Sequence, residues 1–148
     1  MSDGKALVHR WFEEVWNQGR EATIDELFPP EAVTFGLGEI DSEVRGPDQF
    51  KPFHRNLRTA FPDLHITIQD TIAEDDKVVV RFLVEGTHKG QGLDIAPTGR
   101  KIHLSGMSLL RVGENKILAG WNNWDQLGML RQLGVIPPAH ADRFFEKH

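Results

Sequence analysis

The chain has 148 residues, 39% of them hydrophobic and 26% charged, with a formal net charge of −5, which suits one ordinary globular domain with room for a sizeable core. The acidic balance and the lack of a basic run argue against nucleic acid or an anionic membrane as partner, and the absence of cysteine excludes disulfides, thiolate metal sites and a cysteine nucleophile. The first residues lead into an amphipathic segment rather than an apolar one, so neither a signal peptide nor a membrane span is expected, and the expected location is the cytoplasm.

Ala6 to Gly19 reads as a helix. Leu7, Trp11 and Val15 recur at i, i+4 and i+8, Val8 and Phe12 widen the stripe, and Gly19 supplies the stop. Glu21 to Phe28 is a short second helix closed by Pro29-Pro30. Val33 and Phe35 alternate in a short strand candidate from Ala32 to Leu37, and a glycine-containing loop runs on to Gly46-Pro47. Asp48 to Ala60 is a third helix with Asp48 as its candidate N-cap. Phe50, Phe53, Leu57 and Phe61 share one stripe, with His54 on it, and Phe61-Pro62-Asp63 breaks the helix.

From there the period changes from about 3.6 to about 2. Leu64 to Ala73 alternates, Glu74-Asp75-Asp76 turns, and Lys77 to Thr87 is apolar almost throughout, so it is expected to be covered on both faces. His88 to Gly99 is a loop. Lys101 to Val112 and Lys116 to Asn123 are strands joined by a turn at Gly113-Glu114-Asn115. A last helix runs from Gln126 to Leu133, and the tail from Ala139 to His148 is either a short helix or frayed. Helices first and strands after imply an α+β architecture, and a strongly twisted sheet around such helices leaves a concave face for a pocket.

The stretch from Gly120 to Gly128 joins the last strand to the last helix. Asp125 at this junction has two readings: a helix N-cap, or a carboxylate in an aromatic pocket where desolvation raises its pKa for acid–base work. Trp121 and Asn123 share its strand parity and are expected to point the same way. Arg81, in the apolar run Val78 to Val84, is either a pocket cation beside a carboxylate or an outer-face ion pair. His54 is either a second proton-transfer group or a buried helix residue bonded to a carbonyl. His88 marks a pocket rim or shapes its loop, and His103 shares parity with Met107 or faces solvent. Phe53, Phe61 and Met107 read first as core, and as pocket lining if a cavity exists. The seven histidines show no metal-binding spacing, and there is no phosphate loop or nucleophile elbow. His140 and His148, in the tail, suggest no role.

The second half resembles the SnoaL-like polyketide cyclases of the nuclear-transport-factor-2-like superfamily. The resemblance rests on Ala60 to Leu64, Gly86 to Gly90, Pro97 to Arg100, Gly106 to Val112 with Lys116-Ile117, Trp121 to Gly128, and Arg131 to Gly134. It implies a single domain over residues 1–148, with a core from about residue 4 to 137 and a C-terminal tail from 138 to 148, shaped as a cone-like barrel. A curved antiparallel sheet would pack on the N-terminal helices around a central pocket for a small hydrophobic ligand. It implies an Asp at the end of this strand acting as acid and base in an aldol closure with no metal or cofactor. Asp125 matches that position, with Arg81 or Asn123 to steady an enolate, and a homodimer is expected. Phe35 stands in Val33-Thr34-Phe35-Gly36 where many relatives carry a histidine. That departure keeps open a non-catalytic binding protein of the same fold, and a dimerisation module with a filled core is a third reading.

Overall fold

The computed structural model describes residues 3–38 and 42–137; the tail from Ala139 to His148, with His140 and His148, lies outside them. Helix α1 (Asp3–Trp11) runs into a wider, π-type stretch at Phe12–Asn17, where the Gln18 N–H donates to Glu13 O at 2.9 Å. The predicted stripe survives the widening, since Val8, Trp11, Phe12, Val15 and Trp16 are all buried. Helix α2 (Glu21–Leu27) and the long α3 (Gly46–Ala60) complete the N-terminal layer. Asp48 is not the N-cap of α3. Arg45 holds that position, Pro47 and Asp48 lie in the first turn, and Gln49 Oε1 accepts the Arg45 N–H at 2.7 Å.

The strands are β1 (Val33–Phe35), β2 (Glu43–Arg45), β3 (His65–Glu74), β4 (Lys77–Thr87), β5 (Lys101–Gly113) and β6 (Lys116–Trp124), followed by helix α4 (Gln126–Gln132). They form one six-stranded sheet in the order β2-β1-β6-β5-β4-β3. The sheet is mixed rather than wholly antiparallel, because β1 pairs with β6 in parallel, and it is open rather than closed. Strand β2 falls in the predicted loop; three residues are too few for a period of two to show. The β5–β6 turn is a two-residue hairpin with Glu114 and Asn115 both at positive φ, 53° and 60°, the mirror-image turn that matches strand twist.

The helices pack on the inner face of the sheet. Val78, Val80 and Phe82 of β4 and Ile102 and Leu104 of β5 are buried there with Phe61, Phe28 and Ile24. Strand β4 is not covered equally on both faces as its composition suggested. Arg81 and Glu85 project outward into solvent, and Val79 and Leu83, which alternate with them, are half-buried. Two register shifts, at Ile68/Asp70 in β3 and Arg111/Val112 in β5, add a residue to one strand of a pair and reset which side chains face inward.

Where the first helical run ends, its free carbonyls are taken by α3. His54 Nε2 meets Val15 O at 2.6 Å, and since a carbonyl only accepts, the ring nitrogen donates. Arg58 Nη1 donates to Trp16 O at 2.9 Å. Donors and positive charge at a helix C-terminus are favourable on both counts.

Candidate functional site

Between helices and sheet lies an apolar cavity of about 80 Å³. Trp16, Phe53, Leu57 and Phe61 close it from the helical side, Phe82, Leu104, Asn122 and Trp124 from the sheet, and Met129 from α4. A second inner void of about 40 Å³ shares Trp16, Leu37 and Asn122 with it. No ionisable side chain is among the described residues of either wall.

The polar feature of these walls is a small network centred on Asn122. Its Nδ2 donates to Thr34 Oγ1 at 2.6 Å and to Phe35 O at 2.7 Å, and its Oδ1 accepts from Ser108 Oγ at 2.7 Å. Ser108 and Thr34 are themselves buried. The indole N–H of Trp124 donates to Leu37 O at 3.0 Å, and Gln126 Nε2 to Gly38 O at 2.7 Å, so residues 37 and 38 are tied to the end of β6. A buried polar network of this kind is stable only when its members are paired, which fixes the geometry of the wall.

Register explains why Asn122 and Trp124, not Trp121 and Asn123, reach the cavity. Asn122 lies opposite Ser108 and Trp124 opposite Gly106, on the inner face, whereas Trp121 lies opposite Leu109 and Asn123 opposite Met107, on the outer face. Met107 is 50% exposed and Trp121 42%. Trp121 stacks on Phe35, with ring centroids 6.1 Å apart and planes 22° from parallel, and both line an outer groove of about 340 Å³ with Asn123 and Gln126. Of the expected lining residues, Phe53 and Phe61 face the inner cavity, while Phe35, Trp121, Asn123 and Met107 belong to the outer face.

Asp125 lies just beyond β6 and does not line the cavity. It is the N-cap of α4, its Oδ1 accepting the Gly128 N–H at 2.8 Å, and the residue is exposed. Arg81 is on the outer face, where its Nε donates to Asp70 at 2.8 Å and its guanidinium also meets Gln69. It is an outer-face ion pair and does not accompany Asp125. His103 is exposed and pairs with Glu85 at 3.1 Å. His88 is fully buried, 5.4 Å from the Phe61 ring, and its Nδ1 accepts the Thr98 N–H at 3.2 Å, which pins the loop before β5. His54 is buried against Trp16 and Phe50 behind the cavity wall. Burial pushes its pKa below the ordinary value, with the bond to Val15 O opposing. Among the described residues no group of three or more His, Cys, Asp or Glu is placed to hold a metal ion, and no helix is long and apolar enough to cross a membrane.

Asn122 and Trp124 were the wall residues that sequence reasoning missed. The available signal was slight: Ser108 follows Met107 and precedes Leu109-Leu110, and Thr34 stands between Val33 and Phe35.

Comparison with known proteins agrees with the architecture. The family model for SnoaL-like polyketide cyclase matches residues 6–133. Aklanonic acid methyl ester cyclase DauD from Streptomyces sp. (strain C5) is 30% identical over 137 residues, 90% of this chain and 83% of that protein. Aklanonic acid methyl ester cyclase AcmA from Streptomyces galilaeus is 29% identical over 97% of this chain and 99% of its own length. A crystal structure from Jannaschia sp. CCS1, solved as a candidate SnoaL-like polyketide cyclase, superposes with a TM-score of 0.81 over 91% of this chain and 94% of that one; at 22% identity it speaks for the fold alone. With its helices packed over one face of an open sheet and its cavity between them, the chain belongs to the SnoaL-like polyketide cyclase family.

Proposed function

We propose that the protein is a cofactor-independent enzyme that binds a hydrophobic carbonyl compound in the inner cavity and closes a ring by proton abstraction next to a carbonyl. The observation that carries this reading is an apolar enclosure with one polar cluster, at Asn122, on the strand that ends one residue before Asp125. Asp125, just beyond Trp124 and outside the described cavity wall, is the proposed base, acting on the part of the ligand that extends past Trp124. Only its Oδ1 is engaged by the helix, so Oδ2 is left to take and return a proton. Arg81 has no part in this step, because its guanidinium is held on the opposite face of the sheet. The relatives named aklanonic acid methyl ester cyclases support the reaction class.

The test is turnover of aklanonic acid methyl ester by the wild type and by Asp125→Asn. Asparagine caps a helix about as well as aspartate, so the fold is kept while the base is lost. The expected result is a drop of about 100-fold or more in rate with an unchanged unfolding midpoint. Undiminished turnover in the variant overturns the role of Asp125.

A second reading, a binding protein of the same fold without turnover, is favoured by the absence of ionisable groups among the described wall residues and by Phe35 on the outer face. Saturable binding with no product from the wild type would establish it.

We infer also that two copies pair in the cytoplasm through the outer face of the sheet. Phe35, Trp121, Leu109, Val79 and Ile72 stand opposite one another in register across five strands, and Ile72 is 67% exposed. A continuous apolar row of this kind on a soluble protein is a contact surface, and the same row on a second copy makes it self-complementary.

A further inference from the structure

The amide of Asn122 is assigned by its surroundings. Phe35 O is a carbonyl and only accepts, so the nitrogen must face it and Oδ1 must face the Ser108 hydroxyl. Both Nδ2 protons are then engaged, one by Phe35 O and one by Thr34 Oγ1. Oδ1 has two acceptor sites and gives one to Ser108. The hydrogen-bonding capacity left on this amide is a single acceptor site. Trp124, the neighbouring polar group on the same strand, has already given its one proton to Leu37 O.

We infer that Asn122 is a specificity-determining residue that selects apolar ligands presenting a hydroxyl, phenolic or enolic, and disfavours a bare carbonyl at that point. The inference rests on the reading of the inner cavity as the ligand site. A ligand carbonyl placed against Oδ1 would set oxygen against oxygen with no proton between them, and the buried lone pair would stay unpaired at a cost. A ligand hydroxyl supplies the missing proton. Because Asn122 borders both inner voids, a ligand anchored there has apolar wall on either side: Phe61 and Leu104 in one void, Phe28 and Leu110 in the other. For a carbonyl compound that enolises, the residue would favour the enol, whose hydroxyl the amide oxygen accepts.

The experiment is an NMR titration of the folded protein with phenol and with fluorobenzene, which are close in size but differ in having a proton to donate. The Trp124 indole N–H and the Asn122 side-chain amide report the location. Phenol is expected to bind about fivefold more tightly than fluorobenzene, the effect of one neutral hydrogen bond. Asn122→Leu is expected to bring the two affinities together while the Trp124 signal still responds. Ser108→Ala leaves Asn122 in place and removes the proton its oxygen already accepts, so the phenol preference should rise about twofold with two open acceptor sites. Equal binding of both probes to the wild type, or no change of preference in Ser108→Ala, overturns the inference and leaves the cavity as the ligand site. If neither probe moves the Trp124 signal, the ligand-site reading falls and the inference with it.

Discussion

The two faces of the sheet are built from the same strands and differ by one step in register. On the inner face Phe82, Leu104 and Trp124 meet the helices around a cavity, and the polar side chains of its wall, Asn122 and Trp124, are hydrogen-bonded to neighbouring segments. On the outer face Trp121, Met107 and Ile72 are exposed. The difference shows that residue type along a strand says less than the side it occupies. Trp121 and Trp124 are chemically alike and three positions apart, yet one stacks in an open groove and the other closes the pocket.

The contrast can be broken most directly by truncation. Phe61→Ala, at a fully buried inner position, should cost about 3–5 kcal/mol in urea unfolding, while Met107→Ala on the outer face of the monomer should stay within about 0.5 kcal/mol. Comparable losses would mean that the outer face is not a surface of the monomer. Next in size is Trp121→Arg, which puts a charge in the apolar row. Sedimentation should show the proposed dimer weakened at least tenfold with a folded monomer, and an unchanged association constant would remove this face from the proposed interface. Asp125→Ala should lower stability by about 1 kcal/mol by removing the cap of α4, and Asp125→Asn by only a few tenths; equal losses would mean that the carboxylate charge, not the cap, is what matters there.

The smallest effect concerns His54. Its folded pKa lies below the ordinary 6.5 because burial disfavours the charged ring. The unfolded chain therefore binds this proton more readily. Stability is complete above about pH 6.5 and is lost as pH falls from there through the lower folded value. His54→Gln, which keeps a donor for Val15 O, should flatten that part of the stability–pH curve. A curve identical to wild type would show that His54 does not titrate with unfolding.

Most elements were legible because their periods are long and regular. The stripes of α1 and α3, the alternation of β3 and the apolar run of β4 are visible in the order of residues, and Lys77–Thr87 has the predicted limits. What the order could not carry was the facing of each strand. Ile66 and Ile68 point inward, but the bulge that follows turns Ile72 outward although its parity is the same. Counting back from Asp125 points Trp121 and Asn123 toward the pocket, but Asp125 has already left the strand to cap a helix, so its parity says nothing of theirs. The fold and the pocket's helical wall, Phe53 and Phe61, could thus be anticipated. Asn122 could not, because its role depends on Ser108, Thr34 and Phe35 arriving from two other strands.

Two carboxamides docked on unpaired stretches of strand have a consequence for how this protein behaves in a crowd. Gln132 accepts the His103 N–H at 2.7 Å and donates to its carbonyl at 3.0 Å, where β5 extends beyond the end of β6. Asn17 does the same for Ile66 on β3, accepting its N–H at 2.6 Å and donating to its carbonyl at 3.0 Å. Each side chain stands in for one residue of a missing strand. An unpaired strand edge is a template on which further chains can add and grow into aggregates. With these amides docked, the overhang of β5 and the start of the β3 edge are each terminated locally by the helical segment that carries the amide, so the helical layer that encloses the cavity also blocks strand addition at these two places.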